Sequence, residues 1–382
     1  MKIKIYHLLI VILIFFFIFA ESKENQKPKW KGKIAEEKGI KVVKNPKVPL
    51  YGEIKFDLEE DLSIGKENDD HYMFYRILDI KVDGDENIYV LEYGNKRVQK
   101  FDRLGRYLCT IGRQGQGPGE FQRPLLMILD DKNGIVGVQD LTTLKLFNKD
   151  GNYLNKDISF AAFNNQLTVD ANGNMWGVGS ESEIFDTGKS NFFKVLIRYN
   201  PQGETEKKVA RFPYGIFSER TGSIAVSVVS GEEYTLFISP IGDRNLVYGY
   251  SKEYEMNLID SEGNPLLKIR KEEPYQNFTP EERRKGGKAT LPQHKPFFYS
   301  IFTDSKGRIY AQRNSAGRDE KVERIFDIFS QDGYYLYKTS FSMIPFVIRN
   351  GFFYTQVIND DTGEVFVKRL RIKNWDQIKY GI

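Results

Sequence analysis

Asp79-Ile80-Lys81-Val82-Asp83-Gly84-Asp85-Glu86-Asn87-Ile88-Tyr89-Val90-Leu91 is the stretch whose reading decides the fold. Two runs of β-branched and aromatic residues flank a cluster of Asp, Gly and Asn, which is the pattern of two strands joined by a tight turn. A second pair follows at once. Arg97-Val98-Gln99-Lys100-Phe101-Asp102 enters the turn Arg103-Leu104-Gly105, and Arg106-Tyr107-Leu108-Cys109-Thr110-Ile111-Gly112 leaves it. Four antiparallel strands of this kind form a sheet that cannot bury both faces unless similar sheets stack on it, so the unit must recur.

It does recur. The second copy reads Leu129-Asp130-Asp131-Lys132-Asn133-Gly134-Ile135-Val136, with its later turn at Asn148-Lys149-Asp150-Gly151-Asn152. The third starts at Val169-Asp170-Ala171-Asn172-Gly173-Asn174-Met175-Trp176 and pairs with Asn200-Pro201-Gln202-Gly203. A more degenerate fourth runs from Phe237-Ile238-Ser239-Pro240 to Asp260-Ser261-Glu262-Gly263-Asn264. The fifth is clear at Thr303-Asp304-Ser305-Lys306-Gly307-Arg308-Ile309-Tyr310 and Ser330-Gln331-Asp332-Gly333. The last copy, Phe346-Val347-Ile348-Arg349-Asn350-Gly351-Phe352-Phe353-Tyr354 followed by Val365-Phe366-Val367-Lys368-Arg369-Leu370-Arg371-Ile372, has room for about three strands of ordinary length.

The missing strand is expected from the other end of the chain, where Gly39-Ile40-Lys41-Val42-Val43 and Ile54-Lys55-Phe56-Asp57-Leu58 both read as extended and apolar. Pairing N- and C-terminal strands in the last sheet would close the ring and remove two exposed edges. The expected fold is therefore an all-β, six-bladed β-propeller over residues 37–376, with insertions breaking the repeat at residues 212–233 and 272–295. The second insertion contains Thr279-Pro280-Glu281-Glu282, an N-cap, a first-turn proline and early acids, which predicts a short helix on the rim.

Ahead of the repeats, Lys2 and Lys4 precede an apolar run over residues 8–19. That run is shorter than the roughly 20 residues a membrane-spanning helix needs, so residues 1–20 read as an export signal, with an uncleaved N-terminal anchor as the alternative. Residues 21–36 are rich in lysine and glutamate and read as a charged tether. The expected location is periplasmic or extracellular, with membrane contact only through an uncleaved N-terminal segment. Cys109 is the only cysteine in the 382 residues, so no intramolecular disulfide can form. Its neighbours Leu108 and Thr110 suggest a buried strand thiol. The 56 basic residues are nearly cancelled by 52 acidic ones, which leaves no basic block of the kind nucleic acid attracts, and no nucleic-acid partner is expected.

The first unit also carries Gly94-Asn95-Lys96-Arg97-Val98-Gln99-Lys100-Phe101-Asp102 and Gly112-Arg113-Gln114-Gly115-Gln116-Gly117-Pro118-Gly119-Glu120-Phe121. With these motifs it resembles the NHL repeat, and the chain is similar to the exported bacterial six-bladed propellers related to NHL proteins. That resemblance implies a rigid ring whose loop face binds. Related six-bladed folds include metal-dependent lactonases and lyases with carboxylates or histidines at the axial channel.

Gly115-Gln116-Gly117-Pro118-Gly119 is not a phosphate loop, because no Lys-Ser or Lys-Thr pair or helix follows it. It reads as the connection between two blades, pinned by Phe121. The acidic turns offer oxygen ligands for Ca2+, but Asp and Asn are also ordinary hairpin residues, and no cofactor is expected. Beyond the signal only His71 and His294 remain, too few for a three-histidine metal site, and neither a metal ligand set nor a catalytic residue is assigned. Arg76, Arg123 and His294 stand just before inner strands, near the axial opening, and are the candidate binding residues. The expected function is non-enzymatic binding or scaffolding, recognising a protein, peptide or glycan on the loop face. The alternative is a metal-dependent hydrolase or lyase with a carboxylate-lined axial channel.

Overall fold

Asp83 shows how a repeat unit closes its first hairpin. Its Oδ1 accepts the backbone N–H groups of Asp85 (3.0 Å) and Asn87 (2.8 Å), while Oδ2 accepts from the Asn87 amide (3.0 Å) and the Tyr89 hydroxyl (3.1 Å). A short acceptor that satisfies its own turn in this way reverses the chain within a few residues. Asp170 repeats the arrangement with Asn172, Asn174 and the Trp176 indole, and Asp304 repeats it with Lys306, Arg308 and the Tyr310 hydroxyl. Outer turns use the same device: Asp102, Asn148, Asn200 and Asp260 each accept the N–H groups two and four residues on.

The computed structural model describes residues 28–65, 68–161, 164–184, 190–213, 219–221, 224–226, 234–242, 245–285, 291–313 and 322–382. Their strands form six blades. Blade 1 is Ile77–Val82, Ile88–Glu92, Arg97–Phe101 and Tyr107–Ile111; blade 2 is Pro124–Asp130, Ile135–Asp140, Thr143–Asn148 and Tyr153–Ser159. Blade 3 is Gln166–Val169, Met175–Ile184, Ser190–Tyr199 and Thr205–Pro213; blade 4 is Leu236–Ile241, Asn245–Tyr250, Glu255–Ile259 and Pro265–Lys271. Blade 5 is Ser300–Thr303, Ile309–Gln312, Arg324–Phe329 and Tyr335–Phe341. Blade 6 takes Val347–Arg349, Phe352–Ile358 and Val365–Ile372 from the C-terminal end and Leu58–Ile64 from the N-terminal end.

Apolar residues on alternate positions meet between blades. Leu91 and Val98 of blade 1 pack with Met127 and Phe147 of blade 2, and Phe121 from the connection completes that cluster. Phe121 is fully buried, and a Cβ on Gly112 would lie 2.2 Å from its ring. Gly112 also has φ +66°, so glycine is required there twice over. The glycine-rich stretch is thus a connection, as expected: Arg113–Gln114 pairs with Glu120–Phe121, and the Glu120 carboxylate accepts the Gly117 N–H at 2.9 Å.

The closing strand pairs antiparallel with Val365–Ile372, and Asp61 bonds Arg369 (2.6 Å) and Arg371 (2.9 Å) across the seam. Of the two segments expected to close the ring, Ile54 to Leu58 meets the closing strand only at Leu58. The other, Ile40–Asn45, is diverted to the outer edge of blade 4, parallel to Pro265–Lys271, and Lys33–Glu37 folds back on it. Strand structure therefore starts at Lys33, inside the stretch expected as a tether. Between these two segments, Leu50, Tyr51 and Ile54 donate to the carbonyls of Tyr335, Leu336 and Lys338 (2.9 Å each). The N-terminal segment is thus a strap along the outer edges of blades 4, 5 and 6. Its course has a simple cause, since an outer strand leaves one row of N–H and C=O groups unpaired until another strand covers it.

Cys109 is half-buried, not buried as expected, and burial pushes its thiol pKa up. Residues 1–20 lie outside the described residues, as does the tether up to residue 27. Among the described residues no helix is long and apolar enough to cross a membrane.

Candidate functional site

An even number of antiparallel strands per blade sorts the connections onto two faces. In blades 1 to 5 the first and third turns emerge on one face, while the middle hairpin and the link to the next blade emerge on the other. The turns led by Asp83, Asp102, Asn148, Asp170, Asn200, Asp260 and Asp304 lie on the first. Both insertions, residues 212–233 and 272–295, fall in links from a fourth strand to the next blade, and their described residues belong to the second. Of residues 212–233 the structure describes a small hairpin, Glu219–Thr221 with Ile224–Val226, besides the strand end at Phe212 and Pro213.

The second insertion carries the short helix its sequence predicts. A short helix, Pro280–Lys285, starts at Thr279, whose hydroxyl accepts the Glu282 N–H (3.2 Å) while the Glu282 carboxylate accepts the Thr279 N–H (2.7 Å). This reciprocal pair satisfies two donors that would otherwise be orphaned at the helix start. Lys295 donates to the same carboxylate at 2.6 Å, and these partners, Lys295 first, hold the Glu282 pKa down at about 2. The insertion is tied to the blades by the Phe297 N–H on the Ser251 carbonyl (2.9 Å) and the Arg313 Nε on the Phe297 carbonyl (3.0 Å).

Under this connection lies a cavity of about 720 Å3 between blades 4 and 5, reached from blade 3 by Lys194. Its walls carry the rings of Tyr234, Phe237, Phe278, Phe298 and Tyr299. Its charged groups are Lys194, Lys295, Arg313 and Glu282. Lys194 Nζ is 3.2 Å from the Ser180 hydroxyl, and burial lowers its pKa. Arg313 is fixed from behind: its Nη1 donates to Glu273 (3.0 Å) and to Asp327 (2.9 Å). Asp327 also accepts from Lys271 (2.8 Å) and from the Tyr254 and Tyr335 hydroxyls (2.5 Å each). Burial alone would raise the Asp327 pKa, but Lys271 and Arg313 outweigh it and the carboxyl is held below its ordinary value. The cavity wall at Arg313 is therefore rigid.

The three sequence-predicted residues occupy separate surroundings. Arg76 is exposed, with its guanidinium 5.2 Å from the Tyr93 ring centroid. Arg123 is exposed and its backbone N–H is taken by Asp140. Neither lines the cavity between blades 4 and 5 or the axial channel. His294 is buried beside the cavity, its Nδ1 2.8 Å from the Lys295 carbonyl and its ring among Tyr234, Tyr275 and Phe297. It supports the wall. Sequence reasoning found the insertion but missed Lys194, Phe278, Lys295 and Arg313 as a set; the density of aromatic and basic residues from Tyr275 to Tyr299 was the available signal.

The axial channel encloses about 460 Å3 and is lined by inner strands of all six blades. Its acids, Asp79 and Asp131, share it with Lys81 and Arg349. Asp79 is paired with Lys81 at 3.2 Å, and burial raises its pKa in spite of that partner. Among the described residues no three of His, Cys, Asp and Glu are grouped so as to hold a metal ion.

Solved structures share this architecture at low identity. An inferred exported protein of Bacteroides fragilis NCTC 9343 matches with a TM-score of 0.54 and 11% identity, over 87% of this chain and 99% of that one. A DUF4221 family member from Bacteroides vulgatus ATCC 8482 gives 0.47 and 11%, over 83% and 98%. Virginiamycin B lyase from Staphylococcus aureus gives 0.42 and 11%, over 83% and 99%. At these identities the likeness concerns the fold alone. No curated protein matches the chain. A family profile described as DUF5128, 6-bladed beta-propeller, matches residues 64–264, and the chain belongs to that family.

Proposed function

We propose that this DUF5128 propeller is an exported, NHL-like binding protein, and that its recognition site is the cavity between blades 4 and 5. One observation carries the reading. The described part of residues 272–295 holds a capped helix, and Gln276, Phe278, Glu282, Leu291, Pro292 and Lys295 from it line an aromatic, cation-bearing cavity of a size that suits a compact ligand. Export is supported by Lys2, Lys4 and the apolar run over residues 8–19; the NHL-like kind is supported by the motifs of the first unit.

The test compares the chain with its Phe278→Ala variant, each immobilised and exposed to an envelope and medium extract. Material retained by the chain and lost from the variant supports the reading, and equal retention removes the cavity as the site. Hydrolysis of lactone or ester substrates after addition of divalent metal, abolished by Asp79→Asn, would replace binding with catalysis in the axial channel.

A further inference from the structure

The strand that edges blade 4 ends at a buried side chain bonded to two blades. Asn45 Nδ2 donates to the carbonyls of Arg270 in blade 4 (3.2 Å) and of Gly333 in the outer turn of blade 5 (2.8 Å), while Oδ1 accepts the Tyr335 N–H (2.8 Å). Covering a free edge explains the backbone pairing of Ile40–Asn45, but it does not call for a buried amide that bridges two blades. The bridge stands at a particular place. The Asn45 carbonyl accepts the N–H of Glu272 at 3.0 Å, and Glu272 is the first residue of the 272–295 insertion. Lys271, the register partner of Asn45, donates to Glu273 (2.7 Å) and Asp327 (2.8 Å), and the same two carboxylates hold Arg313 in the cavity wall. Arg313 in turn holds the Phe297 carbonyl, just beyond the insertion. Farther up the strap, Glu37 clasps the Arg270 guanidinium with both oxygens (2.6 and 2.9 Å).

We infer that Asn45 is a positioning residue of the binding site: it fixes where the insertion starts and, through Lys271 and Glu273, how Arg313 stands in the cavity wall, so that docking of the N-terminal strap and ligand binding are coupled. This rests on the binding role proposed above. A buried polar network acts as a unit, because a member left unpaired inside the protein costs far more than one in water. Lifting the strap removes the acceptor of the Glu272 N–H and the register partner of Lys271 together, which leaves the start of the insertion without its backbone anchor. Coupling of this kind is reciprocal: what loosens the strap weakens binding, and a bound ligand tightens the strap. The strap is thus a point from which the site is controlled without touching the ligand.

The test reads hydrogen–deuterium exchange by mass spectrometry, and the Phe278-dependent capture described above, on the parent chain, on Asn45→Ala and on Asp61→Asn. Asp61 bonds Arg369 and Arg371 across the seam of blade 6, so its variant reports what a loss of stability elsewhere in the ring does. In Asn45→Ala, backbone exchange over residues 272–285 and 291–299 should rise at least about tenfold while the amides of blade 2 keep their parent rates. Capture should fall at least about fivefold. Asp61→Asn should change neither reading. An insertion that exchanges at the parent rate in Asn45→Ala, or a rise spread evenly over the ring, overturns the inference. Capture that stays at the parent level although the insertion has loosened overturns it too, as does an equal loss of capture in Asp61→Asn. Should Asn45→Ala not fold, Glu37→Gln carries the same readings, with the same directions and a smaller effect. Absence of Phe278-dependent capture by the parent chain removes the binding reading and the coupling with it, whereas a failure confined to Asn45→Ala removes the coupling alone.

Discussion

The two faces of this ring are made by different rules. On the turn face, Asp83, Asp170 and Asp304 each spend their oxygens on their own hairpin and on the aromatic or indole group six residues ahead. The same face links neighbouring blades through Lys149 to Asp83 (3.4 Å) and Arg198 to Glu262 (2.8 Å). Its polar groups are used by the fold. On the connection face, the link to each next blade varies in length, and the longest described one walls a cavity lined by cations and rings. Repetition marks what the fold consumes in every blade, and departure from repetition marks where the chain adds a wall of its own.

Removing a turn-face carboxylate should break this contrast most severely. Asp304→Ala would strip Arg308, which is fully buried, of its 2.6 Å partner and leave its turn and the Tyr310 hydroxyl unsatisfied. A loss of about 3–5 kcal/mol in chemical denaturation is expected. Gly112→Ala should cost about 2 kcal/mol, because the new methyl meets Phe121 and the backbone sits at φ +66°. Acid should act on both faces together. Asp83, Asp102 and Asp260 on the turn face, and Glu273, Glu282 and Asp327 under the connection face, are all held below the ordinary carboxylate range. Carboxyls with lowered folded values stabilise fully above the unfolded value, near about 4, and lose that contribution as pH falls through the folded one. The melting temperature should therefore fall steadily from about pH 5 down to about pH 2, and a flat profile would contradict these pairings.

Phe278→Ala and Lys194→Met should each change stability by less than about 1 kcal/mol, since both lie at the cavity and outside the interblade clusters. A destabilisation as large as that of Asp304→Ala would make the insertion a structural cap and erase the distinction between the faces. The smallest effect is expected from calcium: adding it or chelating it should leave the melting temperature within about 1 °C, because the turn oxygens already have protein donors.

Much of the fold was legible because hairpin chemistry is local. An Asp four residues before Asn87, Asn174 or Arg308, followed by an apolar run, announces its turn whatever surrounds it. The rim helix was legible for the same reason, since Thr279 and Glu282 satisfy each other. The candidate site was only half legible. Residues 272–295 could be singled out as irregular, but Arg76, Arg123 and His294 are not among the residues that line the cavity beside them, because proximity to an inner strand does not specify where a variable connection carries its side chains.

The sequence by itself determined six repeating sheets, their turn positions and the need for a strand from the N-terminal end. Only the tertiary structure decided that Leu58–Ile64 closes blade 6 while Ile40–Asn45 edges blade 4. Both segments have strand-forming composition, and the choice between them depends on which outer edge lies within reach once the ring exists. The same holds for Lys194, Phe278 and Arg313, which belong to three different stretches of chain and become one wall because neighbouring blades stack side by side.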